Sequence, residues 1–173
     1  QAQKHCANPF AVDLHKGFLP DVKIPYPLPP EPVAIADMAN MFGVTHRTLH
    51  FYEEKSILSS RRSGLMRIYS HRDVHRMAVV NLFREVGIPV ATIQEIMAKL
   101  EAATSQDEAD DIFQAVLDTR KRELALEVST VRRQIQQIND LMSADDEDEA
   151  LDDEATIDGV HLTGKRAGEM AAA

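Results

Sequence analysis

The sequence predicts a mainly α-helical protein with one small β-hairpin, on three observations. A short amphipathic segment, Ile35 to Phe42, is followed by Gly43 and a second amphipathic segment from Thr45 to about Glu54, which is helix, tight turn, helix. A glycine-centred, β-prone stretch from Arg61 to Tyr69 comes next. The third observation is a long heptad seam, in which Leu117, Leu124, Val128, Val131, Ile135, Ile138 and Met142 recur at steps of 7, 4, 3, 4, 3 and 4.

Residues 1–32 hold seven of the eight prolines, six of them between Pro20 and Pro32. Proline fixes φ and removes an amide donor, so this segment is expected to be an extended leader rather than a packed element. Opening on Gln1 rather than methionine, the chain is expected to be a processed or truncated product.

The elements that follow carry their own start and stop signals. Gly43 marks the sharp turn, and Thr45 can accept a backbone N–H bond as the cap of the second helix. Gly64 turns the hairpin, which carries Arg61, Arg62 and Arg67 as a basic wing. Ser70 with Asp73 forms a capping box for a helix ending near Gly87, and Pro89 suits the first turn of another reaching Ala102. Ser105 with Glu108 opens the longest helix, expected from 105 to 142; its 36 residues from Asp107 to Met142 would span about 54 Å. A helix that long leaves its apolar stripe uncovered unless a partner meets it, so a homodimer is expected. Beyond it, nine acidic residues between Asp145 and Asp158 predict a disordered acidic tail over 143–173.

The net charge of −9 is unevenly distributed. From Val33 to Leu100 nine Lys/Arg stand against six Asp/Glu, a net of +3 with four histidines besides. From Glu101 to Glu154 five stand against seventeen, a net of −12. The basic part is therefore the part expected to face a polyanion. A helix-turn-helix beside an arginine hairpin suits duplex DNA: arginines neutralise phosphates, and Thr45, His46 and Arg47 at the start of the second helix are placed to meet base edges. Of Phe51 and Tyr52, one is expected in the core and the other at the DNA backbone, with Tyr52 favoured as the phosphate donor.

Other chemistries find little support. Cys6 is the only cysteine, which excludes an intramolecular disulfide or a cysteine-pair metal site. The pairs His46–His50 and His71–His75 have i,i+4 spacing, but no third ligand accompanies them, so no metal and no cofactor are expected. There is no phosphate-binding glycine loop and no positioned nucleophile, so no enzymatic activity is expected. No apolar run approaches the ~20 residues that cross a bilayer. The expected location is the cytoplasm, at the nucleoid.

The stretch GVTHRTLHFYEEKSIL, followed by RRSGLMRIYSHRDVHRM and GIPVATIQEIM, resembles the MerR family of transcriptional regulators over about 65 residues. The resemblance implies a winged helix-turn-helix over 33–102 and a homodimer joined by an antiparallel coiled coil. It implies a promoter with a long spacer, bent and untwisted so that RNA polymerase engages both of its elements. By the same resemblance Thr45, Arg47, Tyr52, Arg61, Arg62, Arg67 and Tyr69 occupy DNA-contacting or contact-supporting positions. His50 stands where the family usually has arginine, Ser56 where it has glycine, Ser60 where proline is frequent, and Leu65 and Met66 in place of the hairpin's glycine and tyrosine. Neither sensor cysteines nor an added effector domain is recognisable, which points to constitutive action or to control by abundance, by a protein partner or by a protease acting on the tails. The alternatives are an adaptor with a degenerate helix-turn-helix and an architectural DNA-bending protein of low sequence preference.

Overall fold

The computed structural model describes the backbone of residues 17–170 and the side chains of residues 17–144. The chain divides into two compact units, one ending at Lys121 and one beginning at Arg122. In order, the elements are β1 (Val33–Ala34), α1 (Ile35–Phe42), α2 (His46–Glu54), β2 (Arg61–Ser63), β3 (Met66–Tyr69), α3 (His71–Glu85), α4 (Val90–Ala102) and α5 (Gln106–Met170).

The turn between α1 and α2 forms as the sequence predicts. Gly43 takes the left-handed conformation at φ +61°, and Thr45 caps α2 by accepting the Thr48 amide at 3.1 Å. The hairpin pairs Arg61 with Ile68, Arg62 with Arg67 and Ser63 with Met66. Its two-residue turn has glycine first, with Gly64 at φ +63°. A third strand is added that the sequence did not signal: β1 pairs antiparallel with β3, Val33 facing Tyr69 and Ala34 facing Ile68, so the sheet order is β1-β3-β2. Two residues are too few for an alternating pattern to show.

The Ser70–Asp73 capping box starts α3 with both reciprocal bonds present. The core of the first unit lies among these helices and the sheet, with Met38, Leu49, Ile57, Tyr69, Val74, Met77, Phe83, Ile93, Met97 and Leu100 all nearly inaccessible to water. Fully burying an aliphatic or aromatic side chain of this size stabilises by about 1.5–3 kcal/mol, so this cluster dominates the stability of the unit.

Two expectations about the ends of the chain are corrected. From Gly17 onward the leader is extended but packed: Leu19 is buried in the core, and Val22 and Ile24 pack against it. Its carbonyls are held by Arg72 at Gly17 (3.0 Å), by Gln106 at Leu19 (2.9 Å) and by the ring nitrogens of His75 at Pro20 and His71 at Pro29 (both 2.8 Å). Proline carbonyls remain good acceptors, which is how a segment short of donors is still fastened. Residues 1–16, including Cys6, lie outside the described residues.

At the other end, α5 does not stop at Met142 but continues to Met170, where a disordered tail was expected. Alanine, glutamate and leucine in that stretch are good helix formers, and acidic residues without a proline among them do not break a helix already begun. The start of α5 belongs to the first unit's core. Ala109 is buried, Phe113 packs at a tilt against Phe83 with centroids 5.8 Å apart, and Leu117 packs against the core rather than in an open seam. The exposed seam thus begins later, with Leu124, Val128, Val131, Ile135, Ile138 and Met142 all substantially open to solvent in the single chain.

Ser56, after α2, sits at φ +57°, a conformation that glycine adopts without strain. Ser56→Gly is expected to stabilise the protein by about 0.5–1 kcal/mol, because relief of the left-handed strain exceeds the added entropy of the unfolded chain. Urea denaturation checks this through an upward shift in midpoint at unchanged slope.

Candidate nucleic-acid interface

α2 presents a short, cap-defined edge to solvent. His46 and Arg47 are exposed in its first turn and His50 is half-buried one turn on. Thr45 is also exposed, but its hydroxyl is engaged with Thr48, accepting the amide and lying 3.0 Å from the Thr48 hydroxyl. Its first role is therefore to cap the helix.

Ala34–Ala36, His46, His50, Leu65, Met66 and Arg67 line one open groove between the start of α1, the exposed edge of α2 and the tip of the hairpin. Two titratable rings and a guanidinium share it with small apolar residues. Arg62 is exposed and Arg61 half-buried on the neighbouring strand β2.

The hairpin is fastened to α2 by a residue that the sequence reading overlooked. Glu53, in the last turn of α2, accepts the Tyr69 hydroxyl at 2.7 Å through Oε1 and the Arg67 Nε at 2.8 Å through Oε2. Burial alone would raise the Glu53 pKa, but the hydrogen bonds from Tyr69, Ser60 and Arg67 outweigh it and hold the carboxyl below its usual value of 4.5. Tyr69 moves the other way: burial first, then the Glu53 carboxylate, push its phenol far above the usual range. At neutral pH it is a neutral donor to the Glu53 carboxylate. The signal for Glu53 was its place, an acid inside the most basic stretch of the chain.

Arg62 and Arg67 stand directly opposite each other in the hairpin register. Like charges across a strand pair repel, and the Glu53 carboxylate on Arg67 offsets this.

Two aromatic assignments change. Tyr52 was favoured as the residue at the DNA backbone, yet it is 3% exposed and its hydroxyl accepts from Arg84 at 3.1 Å. Phe51 is the more open ring, 38% exposed, with the Lys55 Nζ 5.7 Å from its centroid. The helical phase of α2 decides this: Leu49 and Tyr52, three apart, share the buried face. Tyr69, wholly buried, supports the hairpin and offers no surface of its own.

Behind the hairpin, Arg76 is 9% exposed, donates from Nε to the Ile57 carbonyl and pairs with Glu101 at 3.0 Å. Burial lowers its pKa, opposed by Glu101 and Asp73. It ties the approach to the hairpin to α3 and to the end of α4. His71 and His75 are engaged with leader carbonyls, and among the described residues no group of three or more His, Cys, Asp or Glu is placed to hold a metal.

Residues 33–100 match the family model described as MerR HTH family regulatory protein. The nodulation protein NolA of Bradyrhizobium elkanii is 37% identical over 73 residues, which cover 41% of this chain. Those residues span about a third, 32%, of that relative's length. The HTH-type transcriptional regulator ZntR of Escherichia coli K12 is 28% identical over 111 residues, 61% of this chain and 77% of that one. Among solved structures, a MerR family transcriptional regulator from Listeria monocytogenes is similar in fold, with a TM-score of 0.50 at 16% identity over 70% of this chain and 98% of that chain. No helix among the described residues is long and apolar enough to cross a membrane.

The depressed Glu53 pKa gives a test with a definite sign. A carboxyl whose folded pKa lies below its unfolded value contributes stability that is present above about pH 4.5 and lost as pH falls through the folded value. Glu53→Gln should therefore cost about 1–2 kcal/mol at pH 7, with the difference from wild type shrinking below pH 4.5. Urea titrations at pH 7, 5 and 3.5 measure it.

Proposed function

We propose that this chain, whose residues 33–100 match the MerR model of helix-turn-helix regulators, is a transcriptional regulator that binds a pseudo-palindromic promoter site as a homodimer and acts by bending and untwisting it. The observation that carries this reading is the groove in which the exposed edge of α2 and the hairpin tip come together, with the hairpin held to the helix through Glu53. A helix enters the major groove while a hairpin fixed beside it reaches the flanking backbone.

In this reading His46, Arg47 and His50 address base edges from α2, and Arg61, Arg62 and Arg67 address phosphates from the wing. Arg67 does so while bound to Glu53, so it orients the wing as well as adding charge. Thr45 and Tyr69 act indirectly, by capping and by anchoring. Tyr52 supports α2 from inside, with Arg84 on its hydroxyl.

The seam from Leu124 to Met142 supplies the dimer. Six apolar positions at alternating steps of four and three match a coiled-coil stripe, and their exposure in the single chain is what a second copy would remove. A pair of reading heads set at a fixed distance can favour a distorted duplex over a straight one, so the shape of the DNA becomes part of recognition. RNA polymerase is the proposed beneficiary of that distortion at the promoter, and the cytoplasm is the compartment where it operates. No ligand switch enters this account; regulation would act through abundance or a partner.

Binding to a duplex selected from a random pool should weaken steeply with salt. If the dimer neutralises 6–10 phosphates, affinity falls by about 10³–10⁵ between 50 and 200 mM. Arg62→Ala, which removes one phosphate contact from each protomer, should weaken binding across sequences and reduce the slope by about two, whereas His46→Ala should alter sequence preference. Salt-insensitive binding, or selection of no duplex at all, would contradict the reading.

Val131→Asp with Ile135→Asp should give a folded monomer in sedimentation equilibrium, with the selected duplex bound at least tenfold more weakly. A dimer that persists would place the seam elsewhere.

A further inference from the structure

The tip of the hairpin carries two large apolar side chains with no cover: Leu65 is 94% exposed and Met66 62%. Such a tip is an unusual place for them. Turn residues are normally polar, and a leucine left in water forgoes the stabilisation its burial would bring. Sheet pairing does not account for it, because Leu65 lies in the two-residue turn, and Met66 faces only Ser63 across the ladder.

Their surroundings indicate what covers them. Both line the groove that also contains His46, His50 and Arg67, and Arg62 is exposed on the strand leading into the turn. Cationic and ring-nitrogen groups around a small apolar point suit a partner that is anionic outside and apolar within. A nucleic-acid strand has that character: phosphates outside, deoxyribose C–H edges and base faces inside. An apolar protein surface would offer no partner to the exposed Arg62 or to the histidine rings beside the tip.

With α2 in the major groove, a hairpin on its flank stands across one sugar-phosphate strand, over the adjacent minor groove. We propose that Leu65 enters that minor groove as an apolar wedge between two base pairs, with Met66 packed on the sugar edge behind it. This rests on the DNA-binding reading above and adds a mechanism to it. Leucine and methionine are among the side chains that unstack a base step in this way, and the step opens most readily at flexible pyrimidine–purine sequences. The wedge would supply part of the bend at the flank of each half-site and favour a flexible step there, without any hydrogen bond to a base. The tight turn at Gly64 suits the role, because a short hairpin holds its tip at a fixed height.

The test uses the full chain and a duplex selected by it from a random pool, with 2-aminopurine placed in turn at each flanking position. Wild type should raise the fluorescence at one position per half-site on binding, since unstacking relieves quenching. Leu65→Ser should abolish that rise and weaken binding about tenfold with the salt slope unchanged, because no phosphate contact is lost. Leu65→Met should retain both signals. Residue 65 is in open solvent, so neither change threatens folding. Binding of Leu65→Ser within twofold of wild type, or an undiminished fluorescence rise, would overturn the wedge. A tenfold loss with no fluorescence rise at any position in wild type would also overturn it, leaving a surface contact only. If wild type selects no duplex, the DNA-binding reading itself falls and the wedge with it.

Discussion

Glu53 receives a phenol from one residue of β3 and a guanidinium from another, and through these two bonds the hairpin acquires a fixed position on α2. A hairpin this short is not stable alone in water. What holds it is the burial of Ile68 and Tyr69, the pairing of β3 with β1, and the Glu53 carboxylate that takes up Tyr69 and Arg67. Desolvating a carboxylate is costly, and here two charge-assisted hydrogen bonds from β3, one of them also an ion pair, offset the cost. The same carboxylate moderates the repulsion between Arg62 and Arg67, which the strand register forces into opposition.

The rest of the first unit forms a rigid base under that clamp. Arg76 joins the Ile57 carbonyl, ahead of the hairpin, to Glu101 at the end of α4. The leader crosses α3, reaches the end of α4 through the Phe18 amide on the Leu100 carbonyl, and meets the start of α5 at Gln106. Gly17 is required at this crossing, since a Cβ there would lie 2.1 Å from the Leu100 carbonyl oxygen. Arg120 then ties α5 to the Val86 carbonyl at 2.7 Å. These are mostly charged or polar side chains on backbone carbonyls, so they position elements without demanding a larger apolar core.

Much of this is legible in the sequence where a local rule has a local cause. Gly43, Thr45, Gly64 and the Ser70–Asp73 box announce their turns and caps because each satisfies backbone groups only a few residues away. Tertiary causes are the ones that stay hidden. Nothing near Pro20 shows that its carbonyl meets His75, 55 residues later, so the leader reads as a free arm. Leu117 fits the heptad spacing, yet packs against the core, because periodicity tells which face is apolar but not what covers it. Tyr52 and Phe51 are adjacent aromatics whose roles depend on the phase of one helix, and Glu53 reads as one of two ordinary acids until the fold brings Tyr69 and Arg67 to it. Of the candidate DNA-facing residues, the exposed ones followed from helix position, and the anchoring ones needed the long-range contacts.

Glu53, an acid beside the proposed DNA-facing edge, is predicted to strengthen DNA binding by fixing the wing, and charge alone predicts the opposite. Measuring the affinity of Glu53→Ala for the selected duplex at 100 mM salt, with folding verified by circular dichroism, separates the two. Removing a negative charge near a polyanion should tighten binding if electrostatics alone operates. The clamp predicts binding about tenfold weaker than wild type, and binding equal to wild type or tighter would contradict it.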